Sequence, residues 1–366
     1  MSRKLGLQEL EDLIVGGLVL STGGGGLPEA GRKMIQDALS AGKTFELIGK
    51  EEVRDDQFFA VGSRVGGGVT PEEEDNVKGL PIVHEFPLVQ AAEELESYMG
   101  RKFDGFFPSE IGAGNTLAAM YVSAMKGKPT LDADTAGARA KPEISLSTTN
   151  VMGIAVAPLA AANMYGDVAI LTKTVNEYRM EVMTRYLSRS SGGQIGTVRC
   201  PCSGKQAREG LAWGSISLAI KVGEIIRQNK AGILETLVRV LDGKLRFVGK
   251  VQRFEHEKRA AFNWGTFQLE GTGRFAGQQY KSWYKNENLV SWLNGRVDVT
   301  CPDSILAVDA RSGEGLLNQP GYFPEGREVA VIARRAHEIW MKEKGLALFG
   351  PAHFGFDFPY RPFQEL

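Results

Sequence analysis

The strict alternation of short apolar runs with helical stretches constrains this chain most. Residues 45–48, 58–61, 81–83, 105–107 and 130–131 read as strands, and residues 88–99 and 115–125 read as helices. Such an order folds into a largely parallel sheet with helices packed on its faces. Ahead of it, apolar side chains at 7, 10, 13, 14 and 18 have helix spacing. Pro28 suits the first turn of a second helix running to residue 39, where its missing N–H costs nothing. A further strand at 168–172 and helices at 177–188 and 215–229 follow.

From Lys244 the texture changes. Short strands at 245–251, 264–269, 281–284, 296–300, 305–308 and 328–333 are separated by Gly, Asn and Pro turns. That pattern predicts a β-rich module, a sandwich or a barrel. A length of 366 residues suits about two domains. The expected division is an α/β domain over 1–166 and a C-terminal domain over 167–366, helical through 177–240 and then β-rich. The N-terminal sheet is expected to be mostly parallel.

Charge and cysteine usage bound the function. A formal net charge of −1 creates no field for nucleic acid or an anionic membrane. No apolar run is long enough to span a bilayer, and residues 1–6 lead into a helical pattern rather than a secretory signal. Three cysteines make no disulfide framework, so a cytoplasmic location is expected. The expected partners are a small-molecule substrate and further copies of the chain in a homo-oligomer, with no nucleic acid and no membrane.

Ligands of open α/β sheets bind beyond the carboxyl ends of the strands. Three glycine-rich loops stand at such ends: Ser63-Arg-Val-Gly-Gly-Gly68, Pro108-Ser-Glu-Ile-Gly-Ala-Gly-Asn115 and Asp132-Ala-Asp-Thr-Ala-Gly137. In the third, an extended backbone would point Asp132 and Asp134 to one side. Two converging carboxylates suit acid–base work or a divalent metal ion. Arg139 and Glu143 lie just downstream. Glu110 and Asn115 face the same crevice from the second loop. A fourth loop, Gly23, Gly24, Gly25 and Gly26, precedes a helix N-terminus and is suited to hold an anion through its amides. It follows a helix rather than a strand and matches neither the dinucleotide nor the P-loop fingerprint.

Other chemistries lack their signatures. The four His residues (84, 256, 337 and 353) form no metal-ligand spacing, and His353 is the best placed for acid–base work. Cys200, Cys202 and Cys301 read as structural. There is no G-x-S-x-G elbow. Asn286, Glu287 and Asn288 form a dense polar run beside Trp283 and Tyr284, either lining a cleft or capping a hairpin.

An ordered set of short motifs spans nearly the whole chain: Ser21-Thr-Gly-Gly-Gly-Gly26, Glu110-Ile-Gly-Ala-Gly-Asn115, Asp132-Ala-Asp-Thr-Ala-Gly137 with Pro142-Glu143, Asn286-Glu-Asn-Leu289, Cys301-Pro-Asp303 and Gly350-Pro-Ala-His-Phe-Gly355. By this set the chain resembles the S-methyl-thiohydantoin desulfurase-like family. The resemblance implies an α/β domain ending near Gly166 and a β-rich domain after it. It also implies hydrolysis of an S-methylated five-membered ring, with a hydantoin and methanethiol as products. For that chemistry Asp132 or Asp134 is the expected base, acting directly or through a divalent metal. Glu110 or Arg139 is expected to stabilise ring charge and Asn115 to bond the ring carbonyl, with the glycine loop holding a substrate carboxylate. Glu143, Asn286, Glu287 and His353 complete the expected binding set. The alternative is an anion- or nucleotide-binding accessory subunit of a hydantoinase-type system.

Overall fold

The computed structural model describes residues 2–228, 231–259 and 261–365. In chain order its first strands are β1 (Arg3–Lys4), β2 (Glu46–Ile48), β3 (Phe58–Gly66), β4 (Gly105–Pro108), β5 (Thr130–Leu131), β6 (Ala133–Asp134), β7 (Leu159–Ala162), β8 (Val168–Leu171), β9 (Gln194–Ser203) and β10 (Ala212–Trp213). β6 and β10 pair with each other. The other eight form one sheet in the order β1-β2-β5-β4-β3-β9-β7-β8. Its centre, β2-β5-β4-β3, is parallel, as the alternation requires. β9, β7 and β8 extend it antiparallel, and β1 adds an antiparallel edge. The α/β expectation holds, and the sheet is mixed.

Two departures from the sequence pattern have local causes. Residues 81–83 form no strand. Ile82 and Val83 are exposed, and no neighbouring strand takes their side chains. Conversely β9, one of the longest strands, forms where the pattern gave none, although Gly196 and Pro201 are disfavoured in a strand interior. It lies between β3 and β7, and its register shifts against β3 near Pro201, where no N–H is available to the ladder.

The second sheet has seven strands: β11 (Gly243–Arg259), β12 (Phe262–Gly271), β13 (Gln279–Lys285), β14 (Glu287–Leu293), β15 (Arg296–Thr300), β16 (Ser304–Asp309) and β17 (Glu328–Arg334). All pairings are antiparallel, in the order β15-β14-β13-β12-β11-β17-β16. Side chains alternate across it. Leu306, Val308, Ala330 and Ile332 join the core that also buries the helices Leu7–Leu20, Asn115–Met125 and Ser215–Gln228. Their neighbours Ile305, Ala307, Val329 and Val331 face the opposite core. One hydrophobic core therefore runs continuously from the first sheet to the second.

The tightest helix contact is Leu7–Leu20 against Ser215–Gln228. A Cβ on Gly16 would stand 1.8 Å from the Ala219 carbonyl oxygen, and one on Gly223 would stand 1.8 Å from that of Asp12. Both obstacles are backbone. Gly223→Ala is therefore expected to cost about 3 kcal/mol in overpacking, set against roughly 1 kcal/mol gained in helix propensity. A lower urea midpoint with an unchanged slope checks it.

Candidate active site

Segments from both sheets and the loops between them close around a cavity of about 270 Å³. The glycine loop forms one wall. Its turn requires positive φ at Gly23, Gly25 and Gly26 (98°, 76° and 80°). Gly24 has a different constraint: a Cβ there would stand 1.9 Å from Glu287 Oε1. The loop is tied to both halves of the chain. The amides of Gly114 and Asn115 donate to the Gly25 carbonyl at 3.1 and 3.0 Å, and the Asn288 amide donates to the Thr22 carbonyl at 2.7 Å.

The loop after β4 supplies Ser109, Glu110 and Asn115. Glu110 Oε1 accepts from Asn115 Nδ2 at 2.6 Å, and Oε2 accepts from the Lys141 amide at 3.0 Å. The turn from β13 to β14 supplies Asn286, with φ of 58°, and Glu287. Glu287 is 2 % exposed, and its Oε2 has no hydrogen-bond partner among the described residues. Burial and then the charge of Glu110 raise its pKa well above the ordinary carboxylate range, against the pull of Arg139 and Lys141. Burial thus favours the protonated form of Glu287, beside a second carboxyl group that is arranged as a hydrogen-bond acceptor.

Cations complete the cavity. Arg199, on β9, donates to the hydroxyls of Ser63 and Ser109, the latter at 2.8 Å. Arg64, on β3, donates to Gln194. Neither guanidinium is ion-paired with a carboxylate among the described residues, which is unusual for a charge as buried as that of Arg199. Lys141 is buried, donates to the carbonyls of Glu143 and Ile144 at 3.1 and 3.5 Å, and has its pKa lowered by burial. Glu143 lies in the far wall. Burial acts to raise its pKa but is outweighed by His353 at 3.1 Å and the paired Lys285, which bring it to about 2.

Of the residues expected from the sequence, the cavity gathers Gly23, Gly24, Gly25, Gly26, Glu110, Asn115, Glu143, Asn286 and Glu287. His353 reaches it only through Glu143 and itself lines a separate cavity with Glu177. Asp132, Asp134 and Arg139 do not line it. The expected convergence of the two aspartates fails because each is committed elsewhere. Asp132 caps the helix Ser215–Gln228, accepting from the Ser217 amide at 2.9 Å and its hydroxyl at 2.6 Å. Asp134 is fully buried and accepts from the amides of Ala136, Gly137 and Ala138 at 3.2, 3.0 and 3.1 Å. Burial, not its neighbour, pushes its pKa up to about 7. Among the described residues no group of three or more His, Cys, Asp and Glu side chains is placed to hold a metal ion, so the expected Asp132–Asp134 metal pair has no supporting geometry. Arg139 is buried, donates to the Asp303 carbonyl at 3.0 Å and stacks 4.6 Å from the Phe349 ring centroid. It joins the two halves of the fold rather than touching the cavity.

Sequence reasoning missed Arg64, Lys141, Arg185, Gln194 and Arg199 as wall residues. Arg199 carried the one available signal: a charge in an otherwise apolar stretch from Ile195 to Cys202.

Comparison with known proteins agrees with this architecture. A crystal structure of a protein from Chromobacterium violaceum matches with a TM-score of 0.78 and 24 % identity, covering 98 % of this chain and 99 % of that one, a likeness of fold. No curated protein matches the chain. Residues 8–173 match the S-Me-THD-like N-terminal domain, and residues 175–363 match the S-Me-THD-like C-terminal domain. The ordered motifs, the α/β and β-rich halves and these two adjoining matches agree, and the chain belongs to the S-methyl-thiohydantoin desulfurase-like family.

Proposed function

We propose that this protein is a hydrolase that replaces the S-methyl group of a five-membered thiohydantoin ring with water-derived oxygen, releasing methanethiol. The observation that carries the proposal is the buried Glu287, whose Oε2 has no hydrogen-bond partner among the described residues and whose pKa is raised, beside Glu110 in one cavity. Two carboxyl groups whose environments differ are the usual arrangement for acid and base roles. Glu110 takes a proton from water as its oxygen bonds to the ring carbon that bears sulfur. Glu287 gives a proton to the adjacent ring nitrogen. The tetrahedral intermediate then collapses. The C–S bond breaks, the protonated Glu110 returns its proton to sulfur, and Glu287 recovers one from the new hydroxyl. A hydantoin and methanethiol leave, and both carboxyl groups are restored. Arg199 and Arg64 take the charge-stabilising role that the sequence suggested for Arg139. Asn115 is positioned by Glu110, and the glycine loop forms the surface on which the ring lies.

The test is incubation of the purified protein with a 2-methylthio-imidazolone, with methanethiol followed by a thiol reagent and the hydantoin by mass. Stoichiometric thiol and hydantoin are expected. Tight binding without thiol release would instead support the accessory-subunit alternative, which the two arginines without carboxylate partners also favour as an anion site.

A further inference from the structure

A second cavity, of about 920 Å³, adjoins the first and shares Glu143, Arg185, Gln194 and Ala261 with it. Neither the fold nor the acid–base pair requires it. One of its walls is a stripe on the helix Glu177–Ser190: Tyr178, Val182 and Tyr186 recur at four-residue spacing and so share a face. Tyr178 and Tyr186 are 60 % and 64 % exposed, a costly position for two aromatic rings unless something covers them. Phe262 lines the outer cavity, next in sequence to the shared Ala261. Its ring centroid lies 4.8 Å from the Arg185 guanidinium carbon and 4.4 Å from Lys285 Nζ.

Three of the four cations of this outer chamber are already matched; the fourth, Lys258, is exposed and has no ion pair among the described residues. Arg185 pairs with Glu181 at 2.7 Å, Arg189 with Glu73 at 2.7 Å, and Lys285 with Glu143. Apart from Lys258 its charged groups therefore satisfy one another, and the surface left to a ligand beside the helix is mostly aromatic and aliphatic. The inner cavity is the opposite: small, polar and suited to a ring with several hydrogen-bonding atoms. On a hydantoin-type ring the carbon across from the reacting centre carries a substituent, and that substituent must leave the inner cavity if it is large.

We propose that the outer chamber is a specificity subsite that takes a bulky apolar substituent of the ring, aromatic in the preferred case, with Phe262, Tyr186 and Val182 as its selecting residues. The proposal rests on the ring-hydrolysis reading above. Substrates of this class are S-methyl-thiohydantoins bearing a benzyl-type group. Rings with no substituent fill only the inner cavity.

Two measurements separate the failure of this proposal from that of the reaction. In the first, binding of benzylhydantoin and of unsubstituted hydantoin to the full chain is compared by calorimetry, which needs no turnover. Benzylhydantoin is expected to bind about 10- to 100-fold more tightly, as burial of one aromatic group allows. Val182→Trp, which fills the chamber, is expected to abolish that advantage and leave hydantoin binding unchanged. In the second, kcat/KM for methanethiol release is compared for the two S-methylated rings, and the same preference is expected. Equal binding of the two hydantoins, or an advantage that survives Val182→Trp, overturns the subsite. A carboxyethyl substituent preferred over benzyl also overturns it and makes the chamber an anion site. Absence of methanethiol from every ring, with the binding preference intact, overturns the reaction and leaves the subsite standing.

Discussion

Glu287→Gln is expected to lower turnover by about 10²- to 10⁴-fold, the contribution of a positioned general acid, without loss of the fold. The glutamine keeps the size of the side chain and places an amide where the protonated carboxyl stood, so the contact with Gly24 is preserved. What it lacks is a proton to give. Two pH signatures distinguish this from simple disturbance of the cavity. Wild-type activity falls as pH rises through the elevated pKa of Glu287, because the donor is lost, whereas residual activity of Glu287→Gln has no such limb. Stability moves in a linked way. The folded chain keeps this proton at pH values where the unfolded chain, with a carboxyl near 4.5, has released it. Unfolding then releases a proton, so wild-type stability falls as pH rises above 4.5 toward the raised value. The variant lacks that fall and so gains stability relative to wild type as pH rises above 4.5. Equal activity of the two proteins at pH 7 would exclude Glu287 as the acid.

Asp134→Ala is expected to destabilise the protein by about 4 kcal/mol, through three buried backbone donors left without an acceptor. Ala136, Gly137 and Ala138 all donate to this one carboxyl, within a segment that is itself clamped. Trp340 Nε1 donates to the Ala136 carbonyl at 2.8 Å, and Arg334 donates to the Gly137 carbonyl at 2.9 Å. The turn leads directly to Lys141 and Glu143, so its rigidity sets the position of two cavity walls. Asp132→Asn keeps the size of the cap on the helix Ser215–Gln228 and is expected to cost only about 1 kcal/mol. Turnover per folded molecule should be nearly unchanged for Asp132→Asn, since its carboxylate faces that helix. Denaturant titration and active-site-normalised rates check both. A large rate loss in a fully folded Asp132→Asn protein would return the acidic turn to the chemistry.

The difference between the expected and the observed carboxyl pair shows where sequence reasoning ends. Alternating strands and helices made the α/β half legible, down to the helices Leu88–Met99 and Asn115–Met125, because 3.6- and 2-residue periodicities are local properties. Glycine loops were legible for the same reason: positive φ is a local demand. Glu110, Asn115, Glu143, Asn286 and Glu287 were identified because they lie in short polar motifs next to those loops. Their mutual arrangement was not legible, since Glu110 and Glu287 meet only when the β13–β14 turn is brought against the glycine loop. Asp132 and Asp134 looked convergent because i and i+2 share a side of an extended strand. The structure spends them on a distant helix N-terminus and on a turn of backbone amides. By itself the sequence determined most of the elements, the glycine loops and the family. Only the tertiary structure decided which carboxyl groups come together, which has its pKa raised and which described cations lack a carboxylate partner, because burial and charge proximity are set by residues more than a hundred positions apart.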